Sequence, residues 1–328
     1  MKTGVLFVSE RIDREELCGA NENCVLNLDA IVHNPIHLYR FEVNILDIND
    51  NSPLFGVDRL SLNITEDTLV GDRFLLPNAK DMDVGSNSVK TYTLTPNEHF
   101  SLDIQNDREA VSAELLLQKA LDRERVSEFN LILSAVDGGS PPKSGTLQLT
   151  VNVHDINDNK PLFSKSLYKV KVDENVRVGF SVITVSATDA DEGLNGEIRY
   201  SFIGHNDAQL SDMFSIDSNT GVIKINGQLD REERSAVELR VQAMDKGASP
   251  KSTHCKVLVE IVDMNDNAPV IVVTPLLDSV REDSERGTAV ALVTISDLDG
   301  GKNGMVQCSV GDSSDFQLKP SYKLLNTQ

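Results

Sequence analysis

The chain has 328 residues, more than one ordinary domain needs, and the starting expectation is two or three domains. An apolar fraction of 40% supports real cores and excludes global disorder. Lys and Arg total 31 against 51 Asp and Glu, and the formal charge of −20 repels nucleic acid and anionic membrane surfaces, leaving solubility or hard-cation binding as uses for the acids.

In chain order, the segment Met1-Lys2-Thr3-Gly4-Val5-Leu6-Phe7 is too short and polar for the apolar stretch of a signal peptide. No run of about 18 apolar residues follows, so membrane attachment is expected only through a segment absent from this chain. The triplet Asp13-Arg14-Glu15 comes next, then Cys18 and Cys24. The two cysteines are close enough to close a small loop in an oxidising compartment; two buried thiols are the alternative.

Asp47-Ile48-Asn49-Asp50-Asn51-Ser52-Pro53 recurs as Asp155-Ile156-Asn157-Asp158-Asn159-Lys160-Pro161 and as Asp263-Met264-Asn265-Asp266-Asn267-Ala268-Pro269, each copy 108 residues after the last. The triplet keeps step as Asp122-Arg123-Glu124 and Asp230-Arg231-Glu232. A unit this long exceeds a solenoid repeat of about 20–50 residues and matches a small autonomous domain. The reading is a partial repeat over 1–52, whole repeats over 53–160 and 161–268, and a partial repeat over 269–328.

Within the third repeat, apolar residues alternate at period two. Strands are expected at Leu167–Val172, Ser181–Ala187, Glu197–Phe202, Met213–Ile216, Val222–Ile225, Val237–Ala243 and Cys255–Val262, with Cys255, Val257, Val259 and Ile261 on one side. Asp217-Ser218-Asn219-Thr220-Gly221 is a turn between two of them. Seven short strands in about 100 residues predict an all-β fold of tandem seven-strand sandwiches. No long stretch keeps the apolar stripe of a helix.

The acids fall at strand ends. In the third repeat they are Glu174, Asp189 with Asp191, Asp230 and Glu232, and Asp245, followed by the linker Asp263–Asn267. The second repeat carries Glu66, Asp81 with Asp83, Asp122 and Glu124, and Asp137, then Asp155–Asn159; the fourth restarts with Glu282, Asp297 and Asp299. Calcium takes six to eight oxygens from carboxylates, amides and backbone, which such a linker can supply. Without an ion the crowded carboxylates repel one another, so solvated surface charge is the weaker reading. Asp189 and Asp297 open EF-hand-like stretches, but position twelve is Tyr200 or Cys308 where a bidentate Glu is required. His and Cys do not cluster at zinc spacing. The histidines at 33, 37, 99, 154, 205 and 254 are scattered, and no hydrolase motif accompanies them, so the chain is read as not an enzyme. Asn63-Ile64-Thr65 is a glycosylation sequon. Cys255 and Cys308 are expected as buried thiols in strands.

Taken together, the triplets, the Asp-Ala-Asp pair and the linkers resemble the calcium motifs of the cadherin superfamily. Asp13-Arg14-Glu15-Glu16-Leu17-Cys18 with Cys24, and Leu94-Thr95-Pro96-Asn97-Glu98-His99-Phe100, look like the first two repeats of clustered protocadherins, the gamma type closest. The resemblance implies Greek-key β-sandwich repeats, a short disulfide loop, and about three Ca2+ per junction. At the second junction it implies Glu66, Asp122, Glu124, Asp155, Asn157, Asp158, Asn159, Asp189, Asp191, Asn195 and Asp245, with the carbonyl of Ile156. At the third it implies Glu174, Asp230, Glu232, Asp263, Asn265, Asp266, Asn267, Asp297, Asp299 and Asn303, with the carbonyl of Met264. The first holds Asp13, Glu15, Asp47, Asn49, Asp50, Asn51, Asp81, Asp83, Asn87 and Asp137. Met1 falls inside repeat one by this match and Gln328 inside repeat four, so the first junction lacks its upstream glutamate and is expected to fill incompletely. The resemblance further implies an extracellular position at the plasma membrane and calcium-dependent homophilic adhesion. The partners are the chain itself, antiparallel in trans, and related protocadherins in cis. A calcium-braced spacer without recognition is the alternative.

Overall fold

The computed structural model describes residues 4–106, 111–204, 212–311 and 315–319; His205 lies outside them. The chain divides into two compact units, Met1–Ile156 and Asn157–Gln328.

The first unit begins with a five-residue helix, α1 (Arg14–Cys18). Asp13 caps it by accepting from the Glu16 N–H at 2.9 Å, and Gly19, at φ +56°, ends it. Cys18 and Cys24 form a disulfide with Cα atoms 5.6 Å apart, so the two-thiol alternative does not hold. Strands β1 (Val25–Val32) and β2 (His37–Asn44) make an antiparallel hairpin. Seven strands follow: β3 (Arg59–Thr65), β4 (Arg73–Leu75), β5 (Val89–Leu94), β6 (Phe100–Asn106), β7 (Val111–Leu117), β8 (Glu128–Asp137) and β9 (Ser144–His154). They form one sheet in the order β3-β9-β8-β5 and a second in the order β4-β7-β6. The first strand runs parallel to the last, Leu60 opposite Leu149, at one edge of the sheet. Leu115, Leu117, Leu133, Leu147, Leu149 and Val151 point into the space between the sheets and are fully buried. Each stabilises the sandwich by about 1.5–3 kcal/mol.

The second unit repeats the design. It contains β10 (Leu162–Phe163), β11 (Leu167–Asp173), β12 (Ser181–Thr184), β13 (Ala187–Thr188), β14 (Arg199–Phe202), β15 (Phe214–Ile216), β16 (Val222–Ile225), β17 (Ala236–Met244) and β18 (Ser252–Val262). The sheets are β11-β18-β17-β14 and β12-β16-β15, again with the first strand parallel to the last, and β10 pairs separately with β13. Cys255, Val257, Val259 and Ile261 are buried, as their spacing predicts. A hairpin of β19 (Val270–Pro275) and β20 (Ala291–Ser296) follows.

Three details differ from expectation. The strand expected over Ser181–Ala187 is two strands, because β12 pairs with β16 while β13 pairs with β10. At the break, Val185 is buried and its N–H donates to the Gly221 carbonyl at 3.0 Å. A Cβ on Gly221 would lie 2.3 Å from the Val185 carbonyl oxygen, and its φ of +67° also requires glycine. The helix α1 was not anticipated. Cys308 is exposed and outside any strand, so it is not the buried thiol expected; Cys255 is.

Tyr92 and Tyr200 hold the same place in the two units. Each hydroxyl accepts a backbone N–H, from Ala79 at 2.9 Å and from Ala187 at 2.8 Å. Each latches the segment leading to an Asp-x-Asp pair, Asp81 with Asp83 and Asp189 with Asp191. Among the described residues no helix is long and apolar enough to cross a membrane.

Candidate metal centres

Strand ends present the acids because each sandwich strand stops where its apolar alternation stops and the chain turns. In the first unit, carboxylate oxygens of Glu15, Asp50 and Asp83 lie within 4.8 Å of one another. Asp83 accepts from the Asn51 side-chain amide at 2.7 Å, and its own N–H donates to Asp81 Oδ1 at 3.1 Å. Asp47 Oδ2 accepts from Asn87 at 2.8 Å. Asn49 donates to the Pro141 carbonyl at 2.8 Å, and Asp137 accepts from the Lys143 N–H at 2.9 Å. These bonds hold the side chains while leaving Asp47 Oδ1, Asn49 Oδ1, Asp81 Oδ2 and Asp137 Oδ2 buried without a hydrogen-bond partner.

A second set closes the same unit. Glu66, Asp122 and Glu124 bring carboxylate oxygens within 4.8 Å. Glu66 is buried and accepts from the N–H groups of Arg123 at 2.8 Å and Ile156 at 3.0 Å. Arg123 reaches Asp155 Oδ1 and Glu124 Oε1, both at 2.6 Å.

The residues expected at the second junction fall on both sides of the division between units. On the far side, Asn159 donates to Asp191 at 2.8 Å and Asp191 N–H donates to Asp189 at 3.2 Å. Asn157 donates to Asp245 at 3.0 Å, and Asp245 accepts from the Gly247 and Lys251 N–H groups. Asp158 Oδ1 accepts from Asn159 at 2.7 Å, and the Asn195 N–H donates to the Glu192 carbonyl at 3.2 Å. Asn157 Oδ1 and Asp189 Oδ2 are left without partners.

The third set lies wholly in the second unit. Two groups converge within 4.8 Å, one of Glu174, Glu232 and Asp263 and one of Glu232, Asp266 and Asp299, so Glu232 belongs to both. Glu174 accepts from the N–H groups of Arg231 and Met264. Asp230 Oδ1 accepts from the Glu233 N–H at 3.0 Å. Asp263 accepts from Gly300 N–H and Asn303 at 2.8 Å each. Asn267 donates to Asp299, whose N–H donates to Asp297 at 3.0 Å. Glu232 Oε1 and Asp299 Oδ2 have no partner. Asn265 and Glu282 are exposed, and Glu282 joins neither carboxylate group. Asn63 is exposed on β3.

The electrostatics match the geometry. Burial raises the carboxyls of Glu15, Asp81, Glu124, Asp189 and Glu232 above their usual range, and neighbouring carboxylates add to it: Asp83 and Asp137 at Asp81, Asp191 and Asp245 at Asp189. Asp263 is lowered by the Gly300 N–H, then by Asn303 and Arg231. Desolvated, mutually repelling carboxylates with unpartnered oxygens, supplemented by amide oxygens, form a donor set that fits a hard divalent cation.

Two seven-strand sandwiches with matched acids at their ends define a protein of tandem β-sandwich repeats. The sequence model of the cadherin domain matches residues 60–154 and 168–262, and a cadherin-like model matches residues 1–34. The chain is 48% identical to human (Homo sapiens) protocadherin gamma-C3 and 47% identical to chimpanzee (Pan troglodytes) protocadherin alpha-6, each over 98% of this chain. It spans 35% and 34% of those relatives' lengths. The structure of protocadherin gamma B7 extracellular cadherin domains 1–4 is similar, with TM-score 0.85, 42% identity, and coverage of 96% of this chain and 76% of that one. Mouse clustered protocadherin gamma C3, domains 1–3, gives TM-score 0.73 and 49% identity over 78% of this chain and 82% of that one. A cis-dimer structure of protocadherin gamma B7 domains 3–6 gives TM-score 0.71 and 29% identity over 90% and 70%. The chain belongs to the cadherin family, in its clustered protocadherin branch, and is gamma-like in sequence.

Proposed function

We propose that the chain is a calcium-braced adhesion segment that takes part in homophilic recognition between cells. The observation that carries this reading is the recurrence of buried, unpartnered carboxylate oxygens at the ends of both sandwiches. Solvated surface charge would not be withdrawn from water, whereas a bound divalent cation offsets both the desolvation and the repulsion. Calcium supplies a positive centre that turns mutually repelling side chains into ligands of one ion, and about three ions per junction are proposed.

The ligands proposed are the acids and amides named above, and the repeat boundaries proposed are 52/53, 160/161 and 268/269. The matches to the cadherin domain at 60–154 and 168–262 fall inside the two whole repeats. The disulfide supports an oxidising, extracellular position, and exposed Asn63 is a site for glycosylation there. A second copy in trans is the proposed partner, with related protocadherins in cis; the cis dimer of protocadherin gamma B7 supports the latter mode. Modest affinity per pair suffices when many molecules meet at one contact. No enzymatic role is proposed.

Aggregation of beads coated with the intact ectodomain tests the reading. Calcium-dependent clustering with like-coated beads supports adhesion. Calcium binding without clustering would leave a braced spacer instead.

A further inference from the structure

The acidic residues of each triplet belong to the proposed calcium sites, but the arginine between them does not. Its side chain nevertheless turns inward each time. Arg14 Nη1 lies 3.2 Å from Glu15 Oε1 and 3.4 Å from Asp47 Oδ1. Arg123 lies 2.6 Å from Glu124 Oε1 and 2.6 Å from Asp155 Oδ1. Arg231 Nη1 lies 3.4 Å from Asp263 Oδ1. In all three cases the guanidinium faces the first aspartate of the following linker. The side chains are 4%, 13% and 33% exposed, so the contact is shielded in the first two and partly open in the third.

The arginine is not needed to orient the aspartate where neutral donors already do so. Asp47 Oδ2 accepts from Asn87 at 2.8 Å and from the Val84 N–H at 3.3 Å. Asp263 accepts from the Gly300 N–H and Asn303, both at 2.8 Å. Asp47 Oδ1, which faces Arg14, makes no hydrogen bond, and Arg14 Nε is buried without one. What the guanidinium adds at these sites is charge. Arginine keeps that charge at any physiological pH.

We propose that Arg14, Arg123 and Arg231 are resident counter-cations. They neutralise the linker aspartate, and at Arg14 and Arg123 the triplet glutamate as well, in the ion-free protein and oppose calcium at the same carboxylates. The proposal rests on the calcium reading above. It gives the arginine two opposite effects: it stabilises the metal-free protein and weakens the affinity for calcium. A fixed cation a few ångströms from a divalent ion repels it, most where solvent screens least, so the effect follows burial and is smallest at Arg231.

The test is calcium titration by calorimetry on the 328-residue chain, wild type against Arg14→Gln, Arg123→Gln and Arg231→Gln, with melting temperatures in EGTA. Arg123→Lys keeps the charge as a control. The expected result is a lower melting temperature in EGTA with calcium affinity tightened by roughly three- to tenfold in the Gln variants, least at Arg231. Arg123→Lys should bind close to wild type. Unchanged or weaker calcium affinity in the Gln variants overturns the proposal, because it assigns the arginine a purely structural role. Should Arg14→Gln not fold, the more exposed Arg231→Gln and Arg123→Gln still decide. A wild type that binds no calcium overturns the calcium reading and this inference together; a wild type that binds while the variants do not tighten overturns this inference alone.

Discussion

Glu174 Oε2 accepts the backbone N–H of Arg231 at 2.8 Å, and Glu66 makes the same bond to Arg123 at 2.8 Å in the other unit. In each case the other carboxylate oxygen accepts an N–H from the residue after the first linker aspartate, Met264 or Ile156. One buried side chain thus joins the sandwich base, the triplet and the start of the linker before any ion is considered.

Glu174→Ala should therefore destabilise the second unit even in EGTA. Losing an ionised acceptor leaves two backbone donors without their partner, at a cost of about 1–3 kcal/mol. Calorimetric melting with and without calcium should show the loss under both conditions, larger with calcium. A melting temperature unchanged in EGTA would mean that Glu174 matters only as a ligand.

Asp189→Asn should separate ligation from folding in the opposite sense. Asp189 Oδ1 accepts from the Asp191 N–H at 3.2 Å, which an amide oxygen can also do, while Oδ2 has no partner. Neutralising it removes repulsion with Asp191 and Asp245. The melting temperature in EGTA should hold or rise, while calcium affinity falls by about tenfold or more, as the loss of a charged oxygen ligand requires. A calcium titration with affinity intact would remove Asp189 from the ligand set.

The two free thiols should report folding. Burial pushes the Cys255 thiol up to about 11, and its side chain is enclosed by β17 and β18 neighbours, whereas Cys308 is exposed. The thiolate is the reactive form, so at neutral pH the native protein should label rapidly at Cys308 and only on opening at Cys255. Peptide mapping after alkylation should find calcium slowing the Cys255 reaction. Equal labelling of both in the native protein would contradict the packing of β18.

Core truncation should separate buried from exposed leucines within one unit. Leu149, 1% exposed between Leu60 and Leu131, should cost about 2–5 kcal/mol as Leu149→Ala. Leu75→Ala, at 79% exposure, should change stability by under about 0.5 kcal/mol. Urea unfolding of both variants checks the contrast.

Much of this fold is legible from period-two alternation and the 108-residue spacing, because half-buried strands leave an unambiguous pattern and the acids recur in step with it. The expected strands Leu167–Val172 and Cys255–Val262 sit within β11 and β18. The two-residue pair β10 and β13 was not legible, since so short a bridge has no period to detect. The helix α1 had a local signal that went unused: Asp13, a good N-cap, with Glu16 three residues later and Gly19 at the end. Of these, Asp13 enters the sequence reading only as a ligand. Cys308 differs because Val306 and Val310, two positions to either side, alternate with it as in a strand, while the structure gives that stretch no strand. Glu15 and Asp83 fall in one carboxylate group and Glu174 and Glu232 in another. The inward turn of the three arginines was not foreseen, because a charged residue between two ligands reads as a solvated spacer until its burial is seen.

The most direct measurement is thermal unfolding of the 328-residue chain in millimolar calcium and in EGTA, with the number of bound ions counted by titration. An ion that binds only the folded form stabilises it by RT ln(1 + [L]/Kd), so the account predicts a marked rise in melting temperature and several calcium ions per chain. An identical melting temperature in both buffers with no ions bound would contradict it and reduce the buried carboxylates to unexplained charge.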